Sequence, residues 1–382
     1  MHPPEALSLK SNDRPAPRVA VLHDWLTGMR GGEKVLEGIL EIHPAAELFT
    51  LFHFPGSVSP LIENRTIHTS WLQRTAASAR DYRTLLPLFP SAVSGWRFDQ
   101  FDLVISSSHC VVKSVDTGDV PHVSYCHTPM RYIWDRFDDY FPPRRPLLRL
   151  AAQTAAPWLR RWDRATAAGV DHFVANSTFV RERIRRHYDR DAVVIHPFVD
   201  DRFLEAPMPQ ERDDFHLVVS ALVPYKRIEI AVEAARLTGR RLVIAGSGPL
   251  AEKLAKEADP NVELRGFVSE DELLELLGRA RSLILPGVED FGITPLEAMA
   301  MGTPVIAYGE GGVLDSVVEG ETGIFFGRGG IDSLPQAMER VERMTWDRER
   351  IRSRAREFSR ARFLEKFSEI SIGAVTRATR NS

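Results

Sequence analysis

The segment 281–309, RSLILPGVEDFGITPLEAMAMGTPVIAYG, admits few folds. It reads as strand, loop, helix, strand. Ser282 to Leu285 is a short apolar run of the length of a buried strand, and Pro286 with Gly287 stops it. Thr294 suits a helix N-cap, Pro295 the first helical position, and Glu297 the acid of a capping box. Residues 297–301 are mostly good helix formers, and Gly302 suits the stop. Residues 303–308 form a second apolar run with strand character. A helix crossing between two such strands makes a right-handed unit of a parallel sheet. Open sheets of this kind hold ligands beyond the carboxyl ends of their strands. The loop 289–294 falls there.

The same alternation runs through the chain. Strand signals occur at 19–23, 47–52, 102–106, 121–125, 172–175 and 192–196, and again at 216–220 and 241–245. Helical spacing lies between most of them, as in Val35, Leu36, Ile39 and Leu40, or Ile228, Ala231, Val232 and Ala235. This predicts an α/β chain whose parallel sheets are covered on both faces. At 382 residues it divides into two domains. Pro197-Phe198-Val199-Asp200 reads as the linker. The boundaries are therefore 1–199 and 200–359. Phe363, Phe367 and Ile370 recur at helical spacing in a charged tail.

Chemistry concentrates in the loops after strands. Glu289 and Glu297 are eight residues apart, flanking Phe291, Gly292 and Ile293 and the helix start at Thr294. Free amides and the helix dipole there favour an anion such as phosphate. A carboxylate on each side suggests recognition of hydroxyls, as on sugars. Singly, Glu297 reads equally well as a capping residue and Glu289 as a solvated acid. Gly31 and Gly32 open a helix after the first strand, where a backbone can approach a ligand closely. Gly246-Ser247-Gly248 is a glycine turn with no third glycine, so it is no dinucleotide fingerprint. His127 falls just past a strand end. Lys226 and Arg227 precede a helix, where cations oppose the dipole and so need another reason to be there. Asp189-Arg190-Asp191 has metal-binding residue types but lies between a basic helix and a strand, as a turn would.

The stretch EDFGITPLE, with the glycines of GEGGVLDSVVEGETG, resembles the E-x7-E signature of retaining glycosyltransferases of family 4. The strings SSSHCVVK and YCHTPMRYIWD resemble one branch of it, mannosyltransferases of O-antigen and exopolysaccharide assembly. The resemblance covers nearly the whole chain from Arg18. It implies the GT-B fold, with two Rossmann-like domains facing across a cleft and a last helix, from about Arg360 (residues 360–382), returning to the first domain. It implies transfer of a hexose, mannose from GDP-mannose, to a glycan or lipid-linked saccharide with retained configuration. His127 and Glu289 are then placed at the transferred sugar and Lys226 at the donor phosphates. Gly31 and Gly32 face those phosphates, Val268 lies in the segment meeting the base, and Glu297 meets the ribose. Gly248, Phe291, Gly292, Ile293 and Thr294 complete the donor site. The family has an arginine five residues before the lysine. Ala221 stands there in this chain, and Arg227 is the nearest substitute. Fixed cations would replace a metal, so neither metal nor cofactor is expected. Arg131 fits a phosphate or acceptor contact and equally an ordinary surface arginine.

Composition sets limits. A net charge of −3 argues against bulk affinity for nucleic acid. Cys110 and Cys126 give neither a disulfide framework nor a metal pair and suit a reducing compartment. The start, MHPPEALSLKSNDRPAP, lacks the apolar centre of a signal peptide and reads as a disordered lead-in. No apolar run is long enough to span a bilayer. A cytoplasmic location follows as the expectation. Residues 144–164, RRPLLRLAAQTAAPWLRRWDR, mix leucine and tryptophan with six arginines, as a helix on an anionic membrane surface would, with a break expected at Pro157. Two rival functions remain in view: a GT-B nucleotide-sugar epimerase and a non-enzymatic sugar-binding protein. The E-x7-E stretch argues against the first. The phosphate-type loop argues against the second.

Overall fold

The computed structural model describes residues 16–75, 82–328, 330 and 333–381. Most of the expected lead-in lies outside that range. Among the described residues thirteen strands form two sheets, all of whose pairings are parallel. The first contains β1 (Val19–His23), β2 (Glu47–Thr50), β3 (Ile67–Thr69), β4 (Leu103–Ser108), β5 (His122–Cys126), β6 (His172–Ala175) and β7 (Ala192–Val194) in the order β3-β2-β1-β4-β5-β6-β7. The second contains β8 (His216–Val219), β9 (Leu242–Ala245), β10 (Val262–Gly266), β11 (Ser282–Leu285), β12 (Val305–Tyr308) and β13 (Gly323–Phe326) in the order β10-β9-β8-β11-β12-β13. The strands β3, β10 and β13 have no counterpart among the strands expected from sequence, and other boundaries move by a residue or two.

Each sheet is buried on both sides, which is why its strands read as continuous apolar runs. Val19, Val21, Leu103 and Ile105 face one core of the first domain, and Ala20, Leu22 and Val104 face the other. Leu217, Val243 and Leu283 face one core of the second domain, and Val218, Ile244 and Ile284 the other. The strand order reverses direction between β1 and β4, and again between β8 and β11. Those are the two switch points where a parallel sheet opens a crevice.

The chain crosses between the sheets twice, side by side. Val199 pairs with Ser359 in a parallel bridge, and the Val199 amide donates to the Phe358 carbonyl at 3.0 Å. The helix Arg360–Asn381 then lies against the helix Gly31–Ile42 and strands β4 and β5. Its Phe363 and Phe367 enter the first domain's core beside Tyr125 and Phe198.

Two local expectations are corrected. The helix Thr294–Ala300 starts one residue earlier in bonding than the capping pattern suggested. The carbonyl of Ile293 accepts from Leu296 (2.8 Å) and Glu297 (3.1 Å), so Ile293 is the N-cap and no capping box forms at Glu297. The helix Pro146–Thr166 runs unbroken through Pro157. Its outer face, including Pro157 and Gln153 one turn earlier, is exposed, so water can satisfy the carbonyl that loses its donor. Its inner face is pinned. Trp134 Nε1 donates to Asp163 (2.7 Å), Lys113 Nζ pairs with Asp163 (3.0 Å), and Arg160 Nε donates to the Ile133 carbonyl (2.7 Å). The Asp189–Asp191 segment is the expected turn, with Asp189 left-handed (φ 57°) at the end of the helix Thr178–Tyr188.

Candidate active site

The carboxyl ends of the two sheets face each other, and each switch point carries a polar cluster. At the second, β8 leads into a 3-10 turn, Pro224–Lys226, closed by Arg227 in a left-handed conformation (φ 56°). That turn sets Lys226 against Glu289 on the loop after β11, and the two form an ion pair, each about one-fifth exposed. The loop can pass this close because residue 287 is glycine. A Cβ there would stand 2.9 Å from the Lys226 carbonyl oxygen. Lys226 and Glu289, predicted separately from the sequence, therefore meet.

At the first switch point, His23 ends β1 and is in register with Ser107 on β4. His23 Nδ1 lies 3.0 Å from Ser107 Oγ, and the same oxygen lies 2.8 Å from His127 Nε2. His109 completes a group of three imidazoles with centroids 5.7–6.3 Å apart. Burial first, then the neighbouring imidazoles, hold His109 and His127 well below the usual histidine range, so both are neutral near pH 7. Asp24, fully buried, accepts from the amides of His109, Cys110, Val111 and Val112 at 2.6–3.0 Å and so fixes the loop after β4. Asn176 Nδ2 donates to the His127 carbonyl (2.9 Å), tying the loop after β5 to β6.

The clusters are brought together by contacts between domains. A Cβ on Gly31 would stand 3.0 Å from Ile293 Cδ1, and one on Gly32 would stand 3.9 Å from His127 Nε2. The glycine pair thus lies between the two loops. Asp290 accepts from Arg131 and Arg183 of the first domain, and its carbonyl accepts from Ser177 Oγ. Burial works against the Arg131 charge, but Asp290 beside it raises the guanidinium above its ordinary value. Arg183, nearly buried, also meets Asp135 and Thr128 Oγ1 (2.8 Å). Burial would raise Asp135, but His187 and Arg183 hold it at about 2. Asp315 accepts from the Thr178 amide (2.6 Å) and lies 3.0 Å from His196 Nε2. Arg131 and Arg136 both stand 5.8 Å from the ring centre of Tyr225, next to Lys226.

Other expected residues divide. Glu297 is close enough to Lys34, Asp200 and Arg202 to feel their charges, yet burial dominates and raises its carboxyl to about 7. Gly248 lies in the turn after β9, where a Cβ would stand 2.5 Å from the Leu222 carbonyl oxygen. Gly292 (φ 89°) and Thr294 occupy the loop and helix start. Val268 is partly buried after β10, beside Phe267, which is 87% exposed. Phe291 turns into the core against His196 and Phe358, leaving only its main chain for a ligand. Arg227 lies over the Tyr308 ring, 5.4 Å from its centre, rather than joining Lys226. Sequence reasoning did not find Asp290, Arg183, Asp135, Arg136 or Tyr225. Nor did it assign roles to His23, Ser107 and His109, although their strand-end positions were a usable signal. Among the described residues no His, Cys, Asp and Glu group has metal-site geometry, and no helix is long and apolar enough to cross a membrane. Cys110 and Cys126 are buried and free.

Comparisons with known proteins bear on the fold and on the family. Residues 200–358 match the family described as Glycosyl transferases group 1, and residues 51–203 match Glycosyltransferase Family 4. The chain is 24% identical to the human alpha-1,3/1,6-mannosyltransferase ALG2, covering 81% of this chain and 83% of that one. It is 30% identical to O-antigen chain mannosyltransferase C of Escherichia coli, covering 41% and 43%. It spans less than half the length of other curated relatives, 44% and 36% of two uncharacterised glycosyltransferases of Methanocaldococcus jannaschii. The crystal structure of Anabaena HepE in complex with UDP superposes with a TM-score of 0.67 over 92% of this chain and 99% of that one, at 15% identity.

Proposed function

We propose that this chain, whose segments 200–358 and 51–203 match the group 1 and family 4 glycosyltransferase models, is a GT-B glycosyltransferase that transfers a hexose from a nucleoside diphosphate sugar to a hydroxyl of a glycan or lipid-linked saccharide, with retention. Mannosyltransferases among its relatives favour mannose, and GDP-mannose as donor. The observation that carries the reading is the Lys226–Glu289 pair at one switch point, set opposite His127 at the other.

The difficult event is departure of a charged diphosphate. Lys226 stabilises that charge without a bound metal, and the main-chain amides at Ile293 and Thr294 add to it. The helix behind them has only seven residues, so its dipole is a supplement. Phosphate drawing Lys226 away leaves Glu289 free to accept from hydroxyls of the transferred sugar. His127 contacts the same sugar, Glu297 accepts from the ribose, and the segment ending at Val268 meets the base. Gly31 and Gly32 let the diphosphate approach the main chain. The acceptor oxygen bonds to the anomeric carbon on the face from which the diphosphate leaves. The bond from that carbon to the phosphate oxygen breaks, and that oxygen takes the acceptor's proton.

A lipid-linked acceptor suits the helix Pro146–Thr166. Leu147, Leu150, Trp158 and Arg161 form one exposed stripe, with Leu147 83% exposed. Asp163, the one acid in 144–164, is buried against Lys113. The outer face is therefore apolar and cationic, as contact with an anionic membrane requires. The same helix supports Ile133 and Trp134, beyond the loop that carries His127.

A thermal-shift panel of GDP, UDP and ADP sugars tests the donor, followed by product analysis with and without acceptor. GDP-mannose is expected to stabilise most, with sugar transferred only when acceptor is present. An isomerised sugar without acceptor would instead mark an epimerase, and binding of free sugar without nucleotide a sugar-binding protein.

A further inference from the structure

Behind His127 runs a buried line of polar atoms for which the reaction as described has no use. His127 Nε2 meets Ser107 Oγ at 2.8 Å, Ser107 Oγ meets His23 Nδ1 at 3.0 Å, and His23 Nε2 faces Glu33 Oε1 at 3.8 Å. Ser107 and His23 are fully buried, and Glu33 is 3% exposed. The other Glu33 oxygen accepts from the Arg30 amide at 3.0 Å. Each part is fixed by the fold: His23 and Ser107 by register across β1 and β4, and Glu33 by the first turn of the helix Gly31–Ile42.

We propose that Glu33, His23 and Ser107 are positioning residues that set the tautomer of His127, keeping its proton on Nε2 and leaving Nδ1 as a hydrogen-bond acceptor for a hydroxyl of the transferred sugar. The inference rests on the donor-sugar role proposed for His127. Burial would raise Glu33, but its contact with His23 holds its carboxyl below the ordinary value, so Glu33 is ionised. A carboxylate facing His23 Nε2 favours a proton there. With a single proton, held on Nε2, His23 presents Nδ1 as an acceptor, and the Ser107 hydroxyl donates to it. The Ser107 oxygen is left to accept, and the remaining donor is His127 Nε2–H. Nδ1 of His127 has no hydrogen-bond partner among the described residues. The opposite polarity needs a proton on His23 Nδ1, and with one proton on the ring that leaves Nε2 bare against the Glu33 carboxylate at 3.8 Å. Asp24 does not compete for the line, since His109 Nδ1 (3.3 Å) and four amides engage it.

The test is the imidazole nitrogen spectrum of histidine-labelled protein, with the His127 signals assigned by their loss in His127→Asn. The wild type is expected to show a protonated Nε2 and a bare Nδ1 at His127. Ser107→Ala should mix the tautomers, and Ser107→Thr, which keeps the hydroxyl, should restore the wild-type pattern. With a donor in hand, Ser107→Ala should lower kcat by roughly tenfold with donor KM little changed, and Ser107→Thr should recover it. A protonated Nδ1 in the wild type, or an unaltered tautomer in folded Ser107→Ala, overturns the proposal. The spectrum needs no turnover, so an inactive donor panel would count against the transferase reading and leave this result standing.

Discussion

Replacing Glu297 by glutamine should make the protein more stable and a poorer donor binder at once. Burial raises the Glu297 carboxyl from 4.5 to about 7. The native state thus holds this proton more tightly than the unfolded chain does. That preference stabilises the fold fully below the unfolded value and is lost as pH rises through about 7. Each tenfold in proton affinity is 1.36 kcal/mol, so ionising Glu297 at pH 8 costs the fold about 3 kcal/mol. Glutamine has the same shape and never ionises. Glu297→Gln should match wild type in urea unfolding at pH 4 and exceed it by about 3 kcal/mol at pH 8. Taking the difference between the two proteins cancels the titration of every other group.

The cost exists for a reason if the ionised carboxylate accepts from ribose hydroxyls, because charge strengthens those bonds. Donor affinity should fall by about 1–2 kcal/mol in Glu297→Gln. Donor binding to the wild type near pH 7 should also release a proton, visible as buffer-dependent heat in calorimetry. A variant less stable than wild type at pH 8, or one gaining equally at pH 4, would refute the burial argument. Unchanged donor affinity would remove Glu297 from the donor site.

If Lys226 supplies the positive charge as proposed, activity should survive EDTA; loss of activity restored by manganese would contradict this. Vesicles of anionic lipid should bind the protein less as salt rises, and less again in a variant with Trp158→Ala, Arg161→Gln and Arg164→Gln. Equal binding of both proteins to neutral vesicles would remove the membrane face. Asp290→Asn takes the charge from a site meeting Arg131 and nearly buried Arg183. It should cost about 3 kcal/mol and enlarge the radius of gyration in solution scattering, whereas unchanged size and stability would show that Asp290 does not hold the domains together.

Much of the architecture is legible in the sequence because parallel strands buried on both faces leave unbroken apolar runs, as in Ser282–Leu285. β3 escaped notice because three half-exposed residues at a sheet edge carry no such run. β13 escaped because GIFF is short and follows a polar, glycine-rich turn. The proline rule failed at Pro157 because it counts the lost hydrogen bond but not the tertiary bonds of Asp163 and Arg160. In the site, Lys226 and Glu289 stand out because each sits in a short local pattern. Asp290 does not, since its partners Arg131 and Arg183 lie 159 and 107 residues away. The E-x7-E stretch also misled in one respect. Its second glutamate looked like a helix cap, but the main chain had already chosen Ile293.

The central claim is that a nucleoside diphosphate lies between the two switch points, with its phosphates at Lys226 and its sugar at His127. Calorimetric titration of GDP into wild type, Lys226→Ala and His127→Ala, with turnover of GDP-mannose measured in parallel, tests it most directly. The account predicts that Lys226→Ala weakens GDP by at least about tenfold, the equivalent of one charge-assisted contact. His127→Ala should leave GDP affinity nearly unchanged while turnover falls by orders of magnitude. GDP binding that ignores Lys226, or that falls with His127→Ala as far as turnover does, would contradict it.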